Sequence, residues 1–152
     1  MLTYLIMNST SGEDFYGKHK NRFFFNKDHE IIAMRYDFSA SYYDNINIMY
    51  RQFIEIVLTG NRDICICGEG LGAFYARVLA EMFDLKCWLV NPITNPYEEL
   101  NGEVSVMVLN TYRHANTRPD LSIDTTVFSS TPDKEDAYKD CFGEKVKITS
   151  LD

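Results

Sequence analysis

Histidine is scarce in this chain: His19, His29 and His114 are the three among 152 residues, and none follows His114. Centres that rely on imidazole as base or metal ligand therefore have few candidates. Cysteine is limited to Cys65, Cys67, Cys87 and Cys141. Three of these lie in apolar, strand-like runs, and Cys65 and Cys67, two apart, share one face of a strand. They read as small core side chains in a reducing cytoplasm, with no metal site expected. Basic residues are outnumbered, 15 Lys and Arg against 22 Asp and Glu, for a net charge of −7. A general nucleic-acid binder needs a basic face, so nucleic acid is not expected as a partner. No apolar run is long enough to cross a bilayer, so no membrane is expected either. Met1 to Met7 carries no charged leader or cleavage site and reads as a strand.

What is present points to one compact α/β domain over residues 1–152. Hydrophobic residues make up 45%, with ten Phe and ten Tyr, which excludes a disordered chain. Strand-like runs fall at Leu2–Met7, Ile31–Tyr36, Asp63–Cys67, Cys87–Val90, Asp124–Ser129 and Lys145–Ile148. Between them, Tyr43 to Leu58 places Ile46, Met49, Tyr50, Phe53, Ile54, Val57 and Leu58 at spacings of three and four. That spacing predicts an amphipathic helix, with Gly60-Asn61 as its stop. Leu71–Phe83 and Pro132–Phe142 also read as helices, the latter with an acidic first turn and Gly143 at its end. Asn95 to Leu100 suits a short helix with Pro at its first turn. A charged stretch through Lys20 is compatible with helix, and Val104–Tyr112 with helix or strand. Alternating strands and helices predict a three-layer fold with a mainly parallel sheet of about five or six strands.

The most informative segment is Ile64-Cys65-Ile66-Cys67-Gly68-Glu69-Gly70-Leu71-Gly72-Ala73. An apolar strand breaks into three alternate glycines and then enters a helix. This is the layout of the nucleophile elbow G-x-S-x-G, a sharp strand-to-helix turn. We read Glu69 as standing where the nucleophile belongs. A phosphate-binding reading of the glycines fails, because the Rossmann spacing and the P-loop lysine are both missing and a carboxylate would repel phosphate. Close packing of strand on helix explains them better.

Gly68-Glu69-Gly70-Leu71-Gly72-Ala73-Phe74-Tyr75-Ala76, followed by Asn91-Pro92 and Asn95-Pro96-Tyr97-Glu98, resembles the YqiA/YcfP-type small bacterial α/β-hydrolases, some described as esterases. The resemblance implies a minimal α/β-hydrolase-like fold. Family enzymes open with a strand ending in Leu-His-Gly, whose loop supplies part of the oxyanion hole. This chain has Leu5-Ile6-Met7-Asn8-Ser9 instead. The acid of the triad follows a late strand, where Asp133 stands. The family's catalytic histidine comes after the last strand, where this chain has none.

Ser-His-Asp hydrolysis needs a base within hydrogen-bond reach of its nucleophile. With nucleophile, base and first oxyanion loop all altered, the sequence predicts a degenerate, non-catalytic protein that binds a protein or small molecule and needs no cofactor. Its expected site is Asn8, Ser9, Gly68, Glu69, Gly70 and Leu71. In this reading Glu69 folds back on the free N–H groups of the following helix and plugs the oxyanion hole. The alternative is a residual esterase or thioesterase using Glu69 and Asp133 with a histidine from elsewhere. The aromatic groups Phe23-Phe24-Phe25 and Tyr42-Tyr43 read first as core and second as a patch for a protein partner. The oligomeric state is left open.

Overall fold

A computed structural model describes residues 2–9, 15–19, 28–37, 39–60, 63–113, 125–144 and 146–151. The elements in chain order are β1 (Leu2–Met7), α1 (Phe15–His19), β2 (His29–Ala33), α2 (Tyr42–Leu58), β3 (Asp63–Glu69), α3 (Leu71–Phe83), β4 (Lys86–Val90), α4 (Pro96–Glu99), α5 (Val106–Arg113), β5 (Thr125–Ser129), α6 (Glu135–Phe142) and β6 (Lys147–Ser150). A 3-10 turn, Pro132–Lys134, leads into α6. The segment left open between helix and strand is the helix α5.

All six strands run parallel, in the order β2-β1-β3-β4-β5-β6. Parallel neighbours need crossover connections, and those connections coat both faces of the sheet. The β1-to-β2 connection steps outward, and every later one steps the other way. Right-handed crossovers then send α1 to one face and the later helices to the opposite face. The packing agrees. Met49 and Phe53 of α2, Phe74 and Leu79 of α3, Tyr112 of α5 and Phe142 of α6 join Leu5, Ile66, Leu89 and Val127 in the larger core. Phe15 of α1 joins Tyr4, Ile6, Cys65, Cys67 and Val90 on the other side.

The sheet reverses direction between β1 and β3. In open α/β sheets the loops leaving such strands diverge and open a crevice at their carboxyl ends. Met7 pairs with Gly68 there, and Glu69 pairs with Val90 of β4.

The apolar stripe of α2 is narrower than its sequence predicts. Asn45, Met49 and Phe53, at a spacing of four, are its buried residues. Tyr50, Val57 and Leu58 are exposed, Leu58 at 80%. Ile46 and Ile54 pack against the core only in part, so one row of this helix is fully buried. Tyr42 packs partly against that core, and its hydroxyl oxygen accepts a hydrogen bond from the Ser105 N–H at 3.1 Å. Tyr43 is 65% exposed. Phe23-Phe24-Phe25, Asn61 and His114 lie outside the described residues. All four cysteines are buried thiols, none in a disulfide.

Candidate functional site

The alternation of β3 decides where its last side chains point. Cys65 and Cys67 belong to the core on the α1 side, whereas Ile66 belongs to the core on the α3 side. Period two therefore places Glu69 on the α1 side and Gly68 under α3. A Cβ on Gly68 would stand 2.5 Å from the Gly72 carbonyl oxygen, and one on Gly72 would stand 2.3 Å from the Met7 carbonyl oxygen. No side chain fits at either position, so these two glycines let α3 press on the ends of β3 and β1.

Gly70 is different. It forms the turn into α3 with φ 59° and ψ −121°, a backbone region that side chains rarely occupy. Its N–H donates to the Val90 carbonyl at 3.2 Å. A Cβ built on it meets only the Ser9 Cβ, at 3.7 Å, which is ordinary contact. The sharp turn therefore falls at Gly70, not at Glu69. Laid over Gly68-Glu69-Gly70-Leu71-Gly72, the G-x-S-x-G template puts its middle on Gly70, and our placement of Glu69 there is corrected. Glu69 is the last residue of β3 and still part of the sheet.

The Glu69 carboxylate is engaged by two consecutive residues of α1. Lys18 Nζ donates to Oε1 at 2.8 Å, and His19 Nε2 lies 2.6 Å from Oε2. The expected plug on the helix N–H groups is therefore replaced by a clamp on α1. Burial pushes the Glu69 carboxyl up, but the hydrogen bonds and charge of Lys18 and His19 outweigh it and hold the carboxyl below its usual range. The His19 side chain is 3% exposed and the Glu69 side chain 13%, so water screens this pair little. The His19 ring stands 4.9 Å from that of Phe15.

The β1 loop completes the crevice. Asn8 Oδ1 accepts the Phe15 N–H at 2.9 Å, which anchors the start of α1. The Asn8 carbonyl accepts the Tyr36 hydroxyl at 2.5 Å, and burial pushes the Tyr36 phenol well up. Ser9 is half-buried beside Gly70. On the far side, Asn91 leaves β4 with φ 43°. Its Oδ1 accepts both the N–H and the hydroxyl of Ser130, at 3.0 and 3.1 Å, tying the exits of β4 and β5 together.

Of the residues expected at the site, Asn8, Ser9, Glu69 and Gly70 meet around the crevice. Gly68 is sealed beneath α3, and Leu71 packs partly against the larger core. Asp133 is exposed in the 3-10 turn and makes no hydrogen bond or ion pair with Glu69 or His19. The residues that sequence reasoning missed are Lys18 and His19. His19 reaches Glu69 across the β1/β3 crevice. Glu69 continues the Cys65–Cys67 face of β3, and among the described residues the helix on that face is α1. Among the described residues no group of three or more His, Cys, Asp or Glu is placed to hold a metal ion. No helix among them is long and apolar enough to cross a membrane.

No curated protein matches this chain. A family model described as an uncharacterised protein family, UPF0227, matches residues 8–133, from the β1 loop to the turn after β5. The chain belongs to UPF0227, the YqiA/YcfP-type esterase-like family.

Proposed function

We propose that this chain is a non-catalytic member of its family, a hydrolase-like scaffold that acts by binding a protein or a small molecule. The observation that carries this reading is Gly70. The middle of the elbow template, where acyl transfer needs a hydroxyl, thiol or carboxylate, has no side chain at all. Its nearest carboxylate, on Glu69, is held by Lys18 and His19 on the α1 side. His19 Nε2 is directed at that carboxylate, so it is not directed at Gly70. Asp133 is not in line behind the imidazole, as a triad acid would be.

The test is turnover of p-nitrophenyl acetate and of a short acyl thioester by the full chain. The expected rate equals that of buffer. A rate above buffer that Glu69→Gln abolishes overturns the reading.

One observation favours a second reading, a residual esterase or thioesterase. A carboxylate 2.6 Å from an imidazole is the arrangement that orients a catalytic base. In that case His19→Ala abolishes turnover as fully as Glu69→Gln does.

A further inference from the structure

Arg77 of α3 is completely buried. Its Nη1 donates to Glu81 Oε2 one turn further along the helix, at 3.1 Å. Its Nε and Nη2 have no hydrogen-bond partner. These two nitrogens form one edge of the guanidinium, with parallel N–H groups. That edge is the fork on which a carboxylate or phosphate sits side-on. A buried charge is costly unless paired, and buried polar groups are nearly always satisfied. Glu81 engages Nη1 alone, and Nε and Nη2 remain unpaired.

The helix α5, which packs on α3, carries a second arginine. Arg113 ends α5 and is half-buried. Its Nε is also buried and without a partner. Its charge acts on the thiol of Cys141 on α6, as does that of Arg77. Burial pushes that thiol up to about 11, against the pull of both arginines. Both arginine charges thus act on one thiol, and Arg77 Nε, Arg77 Nη2 and Arg113 Nε lack acceptors. The acidic groups near by are Glu81, held by Nη1, and the exposed Asp140, whose charge also acts on Cys141.

We propose that the junction of α3, α5 and α6 is a buried oxyanion site, which takes a carboxylate or phosphate group side-on at Arg77 Nε and Nη2. Arg113 is the second cation and marks the approach from solvent. The site is independent of the crevice at Gly70 and would hold an acidic small molecule, or the acidic end of a larger one.

The test follows the unfolding temperature of the full chain by scanning calorimetry at constant ionic strength. Chloride is replaced stepwise by inorganic phosphate in one series and by acetate in another. The expected result is a rise of a few degrees that saturates in at least one series, since a ligand that binds only the folded state raises its stability. The series that rises names the oxyanion. Arg77→Met keeps the side chain's bulk without its charge, and it should lose the saturating rise. Phosphate series and chloride control that superpose, with acetate flat as well, overturn the proposal. A saturating rise that persists undiminished in Arg77→Met also overturns it. If Arg77→Met does not fold, Arg113→Gln decides: a smaller rise upholds the site, and an unchanged one overturns it.

Discussion

His19 Nε2 and Glu69 Oε2 lie 2.6 Å apart although 50 residues separate them in the chain. The contact joins the end of α1 to the end of β3, so it closes one side of the crevice at the β1/β3 reversal. With Asn8 Oδ1 holding the start of α1, a helix of five residues is pinned at both ends. A helix this short has no stability of its own and depends on such anchors.

Glu69→Gln should therefore destabilise the fold by roughly 1–3 kcal/mol, the worth of hydrogen bonds to a charged, partly buried group. The pH dependence has a definite sign. The folded carboxyl titrates below its ordinary 4.5. Its stabilisation is therefore complete at neutral pH and is lost as pH falls below that value through the folded pKa. Urea unfolding at pH 7 and pH 4 should show the gap between wild type and Glu69→Gln narrowing at the lower pH. A constant gap would count against the clamp.

Two glycines of the turn, Gly70 and Gly72, should respond unequally. Gly72→Ala puts a methyl 2.3 Å from the Met7 carbonyl oxygen. The backbone must move, at a cost above about 3 kcal/mol. Gly70→Ser meets no such obstacle and carries only the strain of its backbone angles, of order 1–3 kcal/mol. Thermal unfolding of both variants checks the order, and equal losses would contradict it.

Gly70→Ser should also remain inert toward p-nitrophenyl acetate. The new hydroxyl would face Ser9, whereas His19 Nε2 is directed at Glu69. A nucleophile without its base gains little. Steady turnover by this variant would mean that His19 serves the turn after all.

Asn45 is buried in α2, and its side chain satisfies the backbone of Asp37 twice and donates to the Tyr75 hydroxyl. Asn45→Ala should cost about 2–3 kcal/mol by orphaning those groups, against less than about 0.5 kcal/mol for Leu58→Ser on the exposed face. Denaturant midpoints compare the two directly.

Several parts of this protein were legible in its sequence. The alternation of strand-like and helix-like runs predicted the three-layer parallel sheet, and the spacing of three and four in Tyr43 to Leu58 predicted α2. Both follow from local rules of spacing, as does the shared face of Cys65 and Cys67. The glycines at 68 and 72 also read correctly as close-packing positions, because a strand that turns straight into a helix leaves no room for side chains between them. Two things were not legible. The middle of the turn was assigned to Glu69, because alternate glycines do not reveal which residue takes the positive φ; the backbone angles of Gly70 do. The partner of Glu69 was also hidden. His19 and Glu69 meet only because the sheet reverses between β1 and β3, and a right-handed crossover lays α1 on the face to which the strand's alternation sends the carboxylate. Local periodicity assigns each residue a face of its own element, but which faces meet depends on strand order, and that is set by the packing of the whole chain.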